Sequence, residues 1–212
     1  MFLRIVVFYV LTWFFLGLLG GLQQETGLIP PEISLPQWAP GIAALLPVGV
    51  GLVIFLVLTL LKVESTAMPE AYDNLPLVLL WMPLGALGEE LGWRGYLHKK
   101  LDPRLRGLIS SLLVGVLWML IHVHFFSQGP VFLIFLVLLF ISYSVVIYAV
   151  VQGTGFSVVL ATVFHLAINL SNLLFLNVIY ETSFMVVNSL VWMAVAAVVV
   201  LMKKDLFFTK EK

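Results

Sequence analysis

Seven stretches of this chain, residues 2–22, 40–61, 74–98, 106–126, 130–151, 156–177 and 183–202, are each apolar for about 20 residues. Few folds are open to such a chain. Inside a bilayer every backbone N–H and C=O must find an internal partner, so only helices and closed barrels cross it. Runs of this length suit a spanning helix and are about twice what a spanning strand needs. The expected fold class is all-α: a polytopic membrane helix bundle of about seven transmembrane helices, forming one integral-membrane domain over residues 1–212. Composition agrees, with 62% hydrophobic and 10% charged residues, against about 45–50% and about 25% in soluble domains. The net charge is zero, so no basic field invites nucleic acid; the lipid bilayer is the expected surrounding. The chain has no cysteine, which removes disulfides and thiolate metal sites. A cleaved signal peptide is the rival reading of residues 2–22. The length of the run and the lack of an A-x-A-like site after it favour an anchor.

The connections set an orientation. Loop 99–106 carries Lys99, Lys100, Arg104 and Arg106, and the segment after residue 202 carries Lys203, Lys204, Lys210 and Lys212. Short basic loops favour the cytoplasm. Four stretches lie between the two, so both can face inward, with the C-terminus cytoplasmic. Counting back through three more stretches puts the N-terminus outside, which Arg4 opposes.

One stretch breaks the apolar rule. Gly88-Glu89-Glu90-Leu91-Gly92-Trp93-Arg94 closes the long apolar approach of residues 75–87. A charge at the centre of a membrane helix costs about 2.5–3.5 kcal/mol on insertion scales. Such residues face a bundle interior and mark function. Residues four apart share a helix face, so Glu90 can pair with Arg94. Glu89 points elsewhere, on the side of Trp93, and is left to face another helix. Gly88 and Gly92 have the G-x-x-x-G spacing that lets a neighbouring helix approach.

The remaining intramembrane polar groups are few. His122 and His124 lie on one stretch, His165 and Asn169 on another. His165 and Asn169 share a helix face, whereas His122 and His124 are expected on nearly opposite sides, with His124 facing away. Each histidine alone reads as a satisfied interior hydrogen-bonder. A Glu, two His and an Asn on three helices are costly to scatter in lipid, and convergence on one cavity explains them. Two chemistries use such a set. A carboxylate and an imidazole can activate water while a His and an Asn stabilise an oxyanion. Alternatively, Glu89, His122 and His165 can hold Zn²⁺ with an open position for water. No H-E-x-x-H occurs.

These residues carry a resemblance. Glu89-Glu90-x-x-x-Arg94 resembles the E-E-x-x-x-R motif of the CPBP family of intramembrane proteases, which includes the type II CAAX prenyl proteases (Rce1-like) and bacteriocin-linked Abi proteins. Trp118-x-x-x-His122 resembles its second motif, F-x-x-x-H, with Trp in place of Phe. His165-x-x-x-Asn169 matches the third, H-x-x-x-N. The motifs come in the family's order over residues 74–176. The resemblance implies a peptidase of a prokaryotic cell membrane acting on a membrane-associated or CAAX-type protein. In it Glu89 and His122 activate water, His165 and Asn169 stabilise the oxyanion, and Glu90, Arg94 and Trp118 support the site. It leaves the cofactor open between zinc and a metal-free glutamate mechanism. Water must reach such a site, and a cavity opening to the cytoplasm is expected. The rival functions are a transporter or proton relay, and a non-catalytic membrane scaffold or bacteriocin-immunity protein. The absence of an internal repeat weighs against the transporter.

Overall fold

The computed structural model describes residues 37–63, 75–173 and 180–209, so the first apolar stretch lies outside the described residues. It is an all-α membrane helix bundle. Helix α1 spans Ala39–Leu60, and α2 spans Leu75–Glu90 and runs on through a π-helical segment, Leu91–His98, into a last α turn, Lys99–Leu101. Then follow α3 (Gly107–Leu120), a 3-10 segment (Val123–Gln128), α4 (Pro130–Val151), α5 (Val158–Ser171), α6 (Thr182–Met202) and the short α7 (Lys204–Phe208).

Burial orders the bundle. A helix that is apolar all round belongs inside, and α5 is buried at every residue except Asn169, with α4 buried continuously from Ser142 to Tyr148. Helix α4 packs on α6 and α3, and α5 packs on α1 and α2. The Ser189 hydroxyl of α6 donates to the Phe135 carbonyl of α4 at 2.6 Å, a polar link inside an otherwise apolar seam. Exposed leucines, among them Leu56, Leu80, Leu117 and Leu120, face outward as a lipid-facing surface requires.

Among the described residues, three helices are long and apolar enough to cross a membrane: Ala39–Leu60, the α4 helix extended to Thr154, and Thr182–Met202. Helix α3 is shorter than the 106–126 stretch led us to expect. Its 14 residues rise about 21 Å. The chain leaves the helix after Leu120 and reverses at Gly129, whose φ of 93° suits a residue without Cβ. Pro130 then starts α4.

Close approach in this bundle is made by Gly115, not by the G-x-x-x-G pair. Among the described residues nothing comes within 4 Å of a Cβ placed on Gly88 or Gly92. A Cβ on Gly115 would sit 2.6 Å from the Ile141 Cα and 3.0 Å from the Phe140 carbonyl oxygen. The backbone of α4 cannot give way as a side chain can. Gly115→Ala should therefore cost about 1–3 kcal/mol, read as a lower melting temperature in detergent, whereas Gly88→Ala should not.

The two basic segments lie at one end of the bundle. The Tyr148 hydroxyl, near the end of α4, donates to Asp102 Oδ1 at 2.6 Å. The Leu206 carbonyl oxygen of α7 would lie 2.7 Å from a Cβ on Gly107, the first residue of α3.

Candidate functional site

Glu89 and Glu90 close the α-helical part of α2, and the π-helical turn that follows carries Arg94. π-Helical turns are rare and recur at functional sites. Arg94 Nη1 donates to both Glu90 oxygens, at 2.8 and 2.9 Å, with both side chains fully buried. Glu90 also accepts from His165 on α5: His165 Nδ1 lies 2.9 Å from Glu90 Oε1. A carboxylate only accepts, so His165 carries its proton on Nδ1 toward Glu90 and turns Nε2 the other way. Glu90 thus holds two cation-capable side chains, one from its own helix and one from α5.

Trp118 on α3 is the hub of the site. Its indole Nε1–H donates to Glu89 Oε2 at 2.6 Å. The Arg94 guanidinium lies over its ring at 4.5 Å from the centroid. This contact faces a cation whose Nε and Nη2 have no hydrogen-bond partner. The His165 ring meets the indole edge to face at 5.0 Å. His122, just beyond the end of α3, has its Nδ1 2.9 Å from the Trp118 carbonyl oxygen. A carbonyl only accepts, so His122 carries its proton on Nδ1 and keeps a lone pair on Nε2 when neutral. A phenylalanine at position 118 would supply the ring but not the hydrogen bond to Glu89. Trp118→Phe should cost about 1.5–3 kcal/mol for a lost hydrogen bond to a charged group. Thermal unfolding checks this, and the cost should shrink when Glu89 is already Gln.

A cavity of about 350 Å³ opens beside this hub. Trp118, His122, His165 and Asn169 line it. Glu89 does not; it is half-buried at the Trp118 Nε1–H, near enough to act electrostatically on His122. His124 corrects the expectation that it faces away, since it also lines the cavity, with its ring 5.7 Å from that of His122. Opposite faces would require a continuous α-helix, but α3 ends at Leu120 and the two histidines straddle a turn into a 3-10 segment. Sequence reading also passed over Tyr143, Asn172 and Asn188, which line the same cavity. Their signal was available, because a carboxamide within an apolar stretch is as conspicuous as a histidine.

Zinc needs three convergent ligands. Among the described residues no three metal-ligating side chains lie together. His122 and His165 each bond through Nδ1 and keep Nε2, as zinc-bound histidines do, but Glu89 is held by the Trp118 indole and does not line the cavity with them. The set does not fit zinc, and no step below runs through a metal.

The cavity occupies the half of the bundle remote from the basic segments. Its lining includes Phe125, Leu173 and Phe184, at the ends of α3, α5 and α6 opposite to Gly107, Val158 and Met202. Two expectations are therefore set against each other: a cytoplasmic basic loop and a cavity opening to the cytoplasm.

Residues 71–171 match the family model for type II CAAX prenyl endopeptidase, Rce1-like. A curated relative, CAAX prenyl protease 2 of Methanococcus maripaludis, is 30% identical over 149 residues. The match covers 65% of this chain and 54% of the relative, so the chain spans about half the length of that protein.

Proposed function

We propose, from this chain's membership of the CAAX protease family, that it is an intramembrane endopeptidase. Its substrate class is a membrane-associated protein with a CAAX-type or similar extended segment. The observation that carries the reading is the meeting of three motif segments from separate parts of the bundle around Trp118, beside one cavity. The domain is single, with its catalytic core at about residues 74–176.

The geometry supports a division of labour. His122 Nε2 can take a proton from water in the cavity, which then attacks the scissile carbonyl carbon, and the Glu89 carboxylate, outside the lining, is the second proton acceptor, reached through a bridging water. His165 is anchored through Nδ1 on Glu90 and lines the cavity, so Nε2 is the ring nitrogen left for a ligand. With a second proton there, and with the carboxamide of Asn169, it donates to the oxyanion. Glu90 is its counter-ion, and Arg94 balances that charge before His165 does. Collapse of the tetrahedral intermediate expels the amine, which takes its proton from the imidazolium of His122.

The test is direct. The purified full chain in detergent is incubated with a farnesylated peptide ending in a CAAX-type sequence, and mass spectrometry locates the cut. Cleavage abolished by His122→Ala supports the reading. No cleavage of this or of unprenylated membrane peptides, with proton flux in vesicles instead, returns the chain to the proton-relay class. Cysteine labelling fixes the side of access. Lys100→Cys and Lys204→Cys should label from one face and Ser127→Cys from the other, in a chain with no native cysteine to confuse the result. The face that labels the Ser127→Cys variant is the face from which substrate arrives. Labelling of the Lys100→Cys and Lys204→Cys variants from opposite faces would break the topology.

A further inference from the structure

The wall of the cavity beside the catalytic groups carries three polar side chains without a role in the chemistry above. Tyr143 comes from α4, Asn188 from α6 and Asn172 from the residue after α5. Tyr143 is 4% exposed and Asn188 is 1% exposed. The Tyr143 hydroxyl lies within reach of the carboxamides of Asn188 and Asn172 without a well-formed hydrogen bond, and the Asn188 Oδ1 also has no partner. The Tyr143 ring is not free to swing away. Trp192 meets it edge to face at 4.9 Å, and Phe140 and Trp118 flank it at 6.1 and 6.3 Å. A buried oxygen without a partner is costly, and so is a buried hydroxyl. Two of them on a fixed wall, facing the same space as His165, make a half-built polar network whose other half is a ligand.

We infer that Tyr143, Asn172 and Asn188 form a binding element that receives a neutral main-chain amide of an extended peptide, next to the bond to be cut. This rests on the peptidase reading. Carboxamides offer both donors and an acceptor, and a phenol can supply one of either. That is the complement of a peptide N–H and C=O, the groups an unwound substrate brings into an apolar cavity with no strand to pair with. Charge decides between an amide and a carboxylate. Among the described residues, no Lys or Arg lines the cavity, and its ionisable lining is limited to Tyr143, His122, His124 and His165, while the wall itself offers a phenol and two carboxamides. The wall therefore suits an internal amide better than a free C-terminus.

The probe is a farnesylated CAAX-type peptide, with a set of analogues in which one amide at a time is an ester, so that a single N–H is lost. Binding is measured by fluorescence polarisation on the full chain in detergent, and cleavage is followed separately. Tyr143→Phe and Asn188→Leu should each weaken binding about tenfold, the loss expected for one hydrogen bond. One ester analogue should bind wild type about tenfold more weakly, yet bind Asn188→Leu as well as the parent peptide does. Melting temperatures control for folding, and the ester series on wild type stands if Asn188→Leu does not fold. Affinities within twofold for both variants and every ester overturn the element while leaving cleavage to stand. Weakened binding without any cleavage keeps the element and removes the peptidase. No saturable binding to wild type removes both.

Discussion

Glu89→Gln is expected to fold like the wild type and to lose about 10²–10⁴ of its cleavage rate, the usual worth of general-base catalysis. The glutamine keeps the size of the side chain, and its carboxamide oxygen can still accept from Trp118 Nε1, so the 2.6 Å contact survives in kind. What disappears is the capacity to take a proton and the negative charge felt by His122. Melting temperature and single-turnover cleavage in the same detergent separate the two effects. A Glu89→Gln protein that cleaves at the wild-type rate would leave His122 as the sole base. A parallel His122→Ala measurement would then carry the whole loss.

Glu90 should fail in the opposite way. Glu90→Gln leaves the Arg94 guanidinium fully buried without its counter-charge, and removing one partner of a buried pair costs about 3–5 kcal/mol. Arg94→Ala should also lower stability, because it leaves the fully buried Glu90 carboxylate with the His165 ring, 2.9 Å away, as its remaining partner. Changing both, Glu90→Gln with Arg94→Met, should recover part of the stability, since no unpaired charge remains. It should not recover activity, because His165 has lost the carboxylate that fixes its Nδ1. Yield, melting temperature and cleavage rate for the three proteins check the scheme. A double variant that regains cleavage along with stability would show that Glu90 acts through Arg94 alone.

Local geometry made part of this site readable. The four-residue spacing pairs Glu90 with Arg94, and it survives the change from α to π geometry that begins at Leu91. The same spacing puts His165 and Asn169 on one face, and both line the cavity. What spacing could not supply is contact between distant segments. The bond from His165 to Glu90 joins residues 75 apart, and that from Trp118 to Glu89 joins residues 29 apart. His124 lies on the cavity side because helical phase does not extend past Leu120, where the helix ends. The apolar runs marked the described helices well, since their length is set by the bilayer. The early end of α3 was hidden because Ile121, Val123, Phe125 and Phe126 keep the stretch apolar after the helix has stopped.

The shortness of α3 also acts on the lipid around it. It has 14 residues, about 21 Å of rise, beside an α4 of 22 residues, about 33 Å. A bilayer with a core of about 30 Å meets this mismatch by thinning locally at a modest cost. The outward leucines of α3, Leu113, Leu117 and Leu120, cover only part of that thickness. The headgroup layer should dip next to His122, where α3 gives out. The bilayer itself then forms a shallow ramp down to the site, and a polar peptide tethered to the membrane has less hydrocarbon to cross before it meets the histidines.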